Sequence, residues 1–261
     1  MEKNDTTAPI VSMFACLSDN YGYLIHDPVS QETACIDTPD AEAILKQAGD
    51  LGWKITQIWN THWHPDHAGG NEAIKAVTGC KIYGPEEVSA RLNAPLDQMV
   101  REGDTLKLGS HDVSVIETPG HTLGHVAFHI PGQKVAFVGD TLFALGCGRL
   151  FEGDAGMMWN SLSKLKALPG DTTIYCAHEY TESNLEFVES LNENNPALES
   201  YAANVREKRA RKQPTVPTSL SLELGANPFM RADDANLQAL VGHGGDAVAT
   251  FAEVRKRKDN F

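Results

Sequence analysis

The sequence predicts a layered α/β fold, helices outside and sheets inside, followed by a mostly helical C-terminal module. Three observations lead there. Through the first 180 residues short β-type runs alternate with helical patterns, after Thr181 the texture turns helical, and 261 residues suffice for one large core with an appendage. The β-runs are YGYLI (21–25), ACI (34–36), ITQIW (55–59), DVSVIE (112–117), HVAFHI (125–130) and VAFVG (135–139), several bounded by Gly, Pro or Asp. Asp40 is placed to cap a helix running to about Ala48, with Ile44 and Leu45 on one face and Gly49 and Gly52 near its end. A second helix should follow Gly70, and a third should cover about Gly156 to Ala167. Paired β-runs with covering helices make the layered arrangement the stable solution. Beyond Thr181, residues 182–192 and 196–211 have helical composition, QPTVPTSL interrupts with two prolines, and 233–258 returns to a helical pattern. A domain boundary is expected near 175–181, dividing the chain into 1–177 and 178–261.

Composition narrows the function. Hydrophobic residues at 41% and charged residues at 22% exclude a collagenous or disordered chain. No run approaches the ~18 apolar residues of a membrane span, and the start, MEKNDTTAPI, lacks the apolar core of a signal peptide, so a cytoplasmic protein is expected. Five widely spaced cysteines without a C-x-x-C pair predict reduced thiols instead of a disulfide framework or thiolate zinc site. Cys147 and Cys176 are expected to be inert, since neither has in sequence the basic partner that a thiolate nucleophile needs. A net charge of −13 opposes binding to nucleic acid or to an anionic membrane, and the sequence names no protein partner. Residues 206–261 nevertheless hold ten bases against seven acids, a local surplus read as a solvated helical face or a site for a small anion.

The chemistry is concentrated at Thr61-His62-Trp63-His64-Pro65-Asp66-His67. Three imidazoles and a carboxylate so close together are costly to desolvate and poor at packing, but as ligands they suit zinc, iron or manganese. On a strand end His62 and His64 would point to the same side by the two-residue period, while Asp66 and His67 swing to a neighbouring position. Three more β-runs end in a donor: VIETPGH at His121, VAFVGD at Asp140 and TIYCAH at His178. Two metal ions need about eight to ten donors, which seven side chains supply if one aspartate bridges and a water or hydroxide fills the gap. The count favours a dinuclear centre.

The segments T-H-x-H-x-D-H, T-P-G-H-T-x-G-H, F-V-G-D-T and Y-C-A-H-E-Y are together similar to the metallo-β-lactamase superfamily. Within it the chain resembles glyoxalase II, the hydroxyacylglutathione hydrolases, through GCGRLFEG (146–153), CAHEYT (176–181), QPTVPTSL (213–220), NPFMR (227–231) and RKRKDNF (255–261). The likeness runs from about residue 10 to the C-terminus. It implies a four-layer αββα sandwich with a helical substrate domain, and a dinuclear-metal thioesterase that converts S-(2-hydroxyacyl)glutathione, such as S-D-lactoylglutathione, to glutathione and a 2-hydroxy acid in methylglyoxal detoxification. By resemblance His62, His64 and His121 hold the first metal, Asp66, His67 and His178 the second, and Asp140 bridges both with a water or hydroxide. Zinc is the expected metal, with iron or manganese possible. Asp66 would also orient the hydroxide or carry its proton. His125 is assigned a structural role, and His26, His111, His129 and His243 lie outside any motif. The resemblance further places Arg149 at the glycine carboxylate of glutathione, Tyr180 beside the metal histidine, and Arg255 and Lys258 as a basic pair converging on one carboxylate from one helix face. Phe151 stands where the family commonly has tyrosine, keeping the apolar wall without the hydroxyl.

Other readings are a mononuclear iron persulfide dioxygenase, which generally lacks the helical tail and NPF segment, and a non-catalytic metal- or glutathione-binding module, against which the full ligand set argues. β-Lactam hydrolysis fits less well, because Asp140 stands where those enzymes often have cysteine and His67 completes a second site. A nuclease fits poorly with the net charge.

Overall fold

The computed structural model describes residues 7–92 and 95–261, so the reading of the segment MEKNDT lies outside the described residues. The chain forms two compact units. The first takes the described residues up to Glu117 together with Gly124–Phe137, and the second takes Thr118–Leu123 with Val138–Phe261.

In the first unit, β1 (Ile10–Cys16) and β2 (Asn20–His26) form an antiparallel hairpin in the register Ile10 opposite His26, and β3 (Thr33–Ile36) continues it. The sheet then turns parallel through β4 (Gln57–Trp59), β5 (Lys81–Gly84) and β6 (Gln98–Met99). Helix α1 (Ala41–Leu51) crosses from β3 to β4, while α2 (Pro65–Ala68) and α3 (Asn71–Thr78) lead from β4 to β5, with α4 (Glu86–Leu92) after it. The Asp40 carboxylate caps α1 by accepting from Ala43 N, and Gly52 ends it in the left-handed region at φ 70°. Leu24, Cys35, Ile58 and Ile82 of the strands bury against Ile44 and Ala48 of α1 and Ile74 of α3. Removing these side chains from water is the main favourable term for this layer.

A second, antiparallel sheet runs through β7 (Thr105–Leu108), β8 (His111–Glu117), β9 (Val126–Ile130) and β10 (Val135–Gly139). Its inner face meets the first sheet through the ring pairs Tyr23–Phe137 and Trp59–Phe128, each 5.6 Å between centroids.

The second unit carries the short hairpin β11 (Leu142–Phe143) and β12 (Gly146–Cys147), then α5 (Ala155–Lys166) capped by Asp154. After β13 (Thr173–Cys176) come α6 (Thr181–Ser190) and α7 (Pro196–Ala210), then β14 (Thr218–Ser219), which pairs with β13, and α8 (Leu220–Ala226), α9 (Ala235–Val241) and α10 (Ala247–Asp259). Phe229 of the NPF segment is fully buried, 6.1 Å from the Phe187 ring and 5.8 Å from that of Phe251, which joins α6 to α10. The predicted helix over 233–258 is two helices. Gly242 and Gly245 take φ 86° and 83°, the chain turns, and Asp246 starts a new helix by accepting from Ala249 N. Among the described residues no helix is long and apolar enough to cross a membrane.

Two imidazoles outside any motif affect stability. His129 on β9 and His26 on β2 are buried, and desolvation holds both below the ordinary imidazole value of 6.5. As pH falls through about 6.5 the unfolded chain takes up protons that these folded sites refuse, so stability is lost on acidification. A falling Tm is expected below roughly pH 6.5, and the drop should shrink in His129→Leu; an unchanged slope in that variant would refute the assignment.

Candidate metal centre

In the first unit the histidine motif starts two residues beyond β4, at Thr61. His62 lies in the loop and His64 is the residue preceding α2, whose first position is Pro65. The two imidazoles therefore converge through a loop and a helix entry, not through the two-residue period of a strand. Nε2 of His62 and Nδ1 of His64 face each other 2.9 Å apart, an arrangement that a shared cation suits. Asp66 and His67 follow on α2, with Nε2 of His67 3.5 Å from Asp66 Oδ2. The ligand-capable atoms of His62 and His67 also lie within 4.8 Å of each other.

The partners of these rings decide which nitrogen is left for a metal. Asp37 Oδ2 accepts from His67 Nδ1 at 2.8 Å and from the Thr61 hydroxyl at 2.8 Å, and Asp37 Oδ1 accepts from Thr61 N at 2.7 Å. A carboxylate only accepts, so His67 carries its proton on Nδ1. The Thr61 hydroxyl uses its one hydrogen in the bond it donates to Asp37 and therefore accepts from His62 Nδ1, 3.0 Å away. Both imidazoles are thereby held with Nε2 available as a ligand. Asp37 adopts φ 56°, an unfavourable left-handed conformation for a residue with a side chain. Asn20, buried at the start of β2, donates to Asp66 Oδ2 at 3.1 Å and so orients that carboxylate. His125 is fully buried with its ring stacked 4.9 Å from that of His62.

Sequence reasoning missed Asp37 and Asn20. Asp37 did carry a readable signal, because it ends a β-run as Asp140 does. Asp37→Ala is expected to weaken metal binding about 10- to 100-fold, measurable by titration with a competing chelator; parental affinity would refute the orienting role.

In the second unit two imidazoles gather around Asp140. Its Oδ2 is 3.4 Å from His121 Nε2 and its Oδ1 is 3.4 Å from His178 Nε2, so each oxygen faces a different imidazole. His121 donates from Nδ1 to the Arg149 carbonyl at 2.9 Å, which again turns Nε2 toward a role as a metal donor. Gly148 explains part of the GCGR motif, because a Cβ there would lie 1.9 Å from the Asp140 carbonyl oxygen and 3.2 Å from His121 Nδ1.

Asp140 also stands at a cleft of about 580 Å³ within this unit, lined by Phe143, Arg149, Phe151, Tyr180, Arg255 and Lys258. All five residues expected to contact substrate thus border one cavity. The Tyr180 ring stacks on His178 at 4.8 Å, and Phe151 meets His121 edge-on at 5.2 Å. Arg255 departs from the expected open basic pair. It is 5% exposed, with Nε and Nη2 on Asp259 Oδ1 at 2.9 and 2.7 Å and Nη1 on the Cys147 carbonyl at 3.1 Å. Lys258 is half-buried and donates to the Ser183 carbonyl at 2.9 Å. Burial, then the neighbouring Arg255 and Arg149 charges, push its ammonium below the ordinary lysine value. Cys147 does have a basic neighbour, since Arg255 Nη1 lies 3.8 Å from its sulfur. Burial outweighs that cation and lifts the thiol to about 11, so it remains protonated.

The donor chemistry fits divalent metal, and comparisons with known proteins agree. Residues 32–178 match the metallo-beta-lactamase superfamily, and residues 179–261 match the hydroxyacylglutathione hydrolase C-terminus. A hydroxyacylglutathione hydrolase of Maricaulis maris is 56% identical over 253 residues, covering 97% of this chain and 98% of that protein. One from Hyphomonas neptunium is 54% identical over 251 residues, covering 96% and 98%. Among solved structures, ETHE1 from Myxococcus xanthus superposes with a TM-score of 0.68 at 23% identity, covering 95% of this chain and 90% of that one, and the BLEG-1 B3 metallo-beta-lactamase with 0.64 at 22%, covering 85% and 99%. These structures carry the fold alone: the metallo-β-lactamase α/β fold, here with a helical C-terminal domain. With both families matched end to end and near-full-length relatives at over half identity, the chain belongs to the hydroxyacylglutathione hydrolases, the thioester-cleaving members of the metallo-β-lactamase superfamily.

Proposed function

We propose that His62, His64, Asp66 and His67 of the first unit act with His121, Asp140 and His178 of the second to hold two divalent ions, and that this centre hydrolyses S-(2-hydroxyacyl)glutathione, such as S-D-lactoylglutathione, to glutathione and a 2-hydroxy acid. The observation that carries the reading is Asp140, whose two oxygens face two different imidazoles, as a bridging carboxylate requires. Zinc is the proposed metal, since borderline imidazole and hard carboxylate donors suit it, as they do iron and manganese. When bound, such ions lower the pKa of water toward about 7 and polarise a carbonyl.

The chain's own residues supply the rest. Asp66, oriented by Asn20, is set to accept a hydrogen bond from the attacking water and to take its proton. Phe143, Phe151 and Tyr180 provide an apolar wall beside the histidines, where the acyl thioester is proposed to lie. Arg149, Arg255 and Lys258 border the same cleft, where burial chiefly, and after it the repulsion from the two neighbouring guanidinium groups, lowers the Lys258 pKa. A carboxylate arriving there relieves that repulsion, which supports docking of the glycine end of glutathione. The leaving thiolate has a conjugate-acid pKa of about 8.5, so departure needs no strong acid. The domain boundary proposed with this reading lies between 177 and 178, supported by the change of family match after 178. A cytoplasmic location, where glutathione is reduced, is supported by five buried cysteines without disulfides.

The deciding experiment is metal analysis with a thioesterase assay on one sample. Close to two ions per chain is expected, with free thiol released from S-lactoylglutathione in step with acid under strictly anaerobic conditions. Oxygen uptake on glutathione persulfide with negligible thioesterase activity would overturn the proposal in favour of a dioxygenase.

A further inference from the structure

We infer that Glu223 and Asn227 of the α8 segment are positioning residues for the thioester cleft, acting through the β11–β12 hairpin. The inference rests on the functional reading above, because it concerns the cavity that reading fills.

Glu223 has no exposed surface. Its Oε1 accepts from the Tyr201 hydroxyl at 2.8 Å and the Thr218 hydroxyl at 2.7 Å, and its Oε2 from Leu145 N at 2.9 Å and Asn227 Nδ2 at 3.0 Å. Asn227 Nδ2 also donates to the Phe143 and Gly146 carbonyls at 3.1 and 3.0 Å, while its own oxygen accepts from Phe229 N at 3.0 Å. Asn184 Nδ2 reaches the Ala144 carbonyl at 3.1 Å. Side chains from α6 and α8 thus hold a polar backbone group of each residue from Phe143 to Gly146. The turn needs holding, because Leu145 sits at φ 58°, which a leucine disfavours.

The hairpin forms part of the cleft. Phe143 lies 5.3 Å from the Tyr180 ring and 5.9 Å from His178, and the Cys147 carbonyl receives the Arg255 guanidinium. A buried carboxylate is an expensive way to stabilise a fold, since an apolar side chain of similar volume would avoid its desolvation. Its four hydrogen bonds instead define one geometry for the hairpin, and through it one placement of Phe143 and Arg255. Asn227 belongs to the NPF segment, whose asparagine the metal chemistry left without a role.

The chemistry ranks the variants. In Glu223→Gln the amide can turn its oxygen to Leu145 N and its nitrogen to the Tyr201 and Thr218 hydroxyls, which accept as well as donate. Glu223→Ala removes every tie, and Asn227→Asp sets an acceptor against the Phe143 and Gly146 carbonyls. The test measures KM and kcat for S-lactoylglutathione, metal content, and hydrogen exchange at the Leu145 amide. Glu223→Ala and Asn227→Asp are expected to raise KM about tenfold or more, with kcat within about threefold, parental metal content and faster Leu145 exchange, while Glu223→Gln recovers most of the affinity. Should Glu223→Ala fail to fold, Asn227→Ala, which leaves the carboxylate and three of its donors in place, carries the same test. A parental KM in the folded variants, or a kcat loss that follows metal loss at constant KM, would overturn the inference. Absence of turnover by the parent enzyme would overturn the functional reading alone; unchanged Leu145 exchange in the folded variants would then still refute the positioning role.

Discussion

Asp140→Ala is expected to remove most of the bound metal and to lower thioesterase activity by about three orders of magnitude or more, while His125→Ala retains most of its metal. The two positions make a controlled pair. Both are buried and both lie beside proposed ligands, but Asp140 presents one oxygen to His121 and the other to His178, whereas His125 meets His62 by ring stacking. Losing a bridging carboxylate removes a ligand from two ions together and leaves their mutual repulsion less screened. Removing a stacked imidazole leaves all seven proposed donors in place and loosens one of them. Metal analysis of the two purified variants checks the difference, and equal metal content would refute the bridging assignment.

The double change Arg255→Ala with Lys258→Ala is expected to raise KM for the glutathione thioester at least about tenfold, with a much smaller change in kcat, because the part of the substrate they are proposed to bind is remote from the scissile bond. The single variants should separate two roles. Arg255 lies over the Phe229 ring at 5.1 Å and donates to the Cys147 carbonyl, so its loss leaves a buried acceptor without its donor and a gap in the core. About 2 kcal/mol of stability should go with it, or roughly 4–8 °C in Tm for a unit of this size. The Asp259 partner adds little to that figure, since it is 46% exposed and screened. Lys258→Ala should raise KM with little change in Tm, and increasing salt should reproduce part of its effect in the parent enzyme by screening. A parental KM in the folded double variant would remove both residues from the substrate site.

Much of the architecture was readable locally. The helix after Asp40 follows from a capping carboxylate, an apolar face and a terminal glycine, all between Asp40 and Gly52, and the chain forms it there. The short edge elements were harder. β6, β12 and β14 are two residues long, too short to show any period, and exist because a neighbouring strand offers them partners. The break between α9 and α10 turned on glycines that composition alone had averaged into one helix.

The order of residues alone was enough to name the family and to nominate a set of metal donors. The seven proposed ligands stand out because metal chemistry needs particular residue types at the ends of particular β-runs, and such signals are local. What surrounds them is set by the folded chain. Asp37 reaches His67 across 30 residues, Arg255 reaches Cys147 across 108, and Glu223 reaches Leu145 across 78. Each is an ionisable group whose residue type alone would place it facing solvent. Its meaning comes from burial, which makes an unpaired charge costly and so requires a partner, and that partner can be identified only once the chain has folded back on itself.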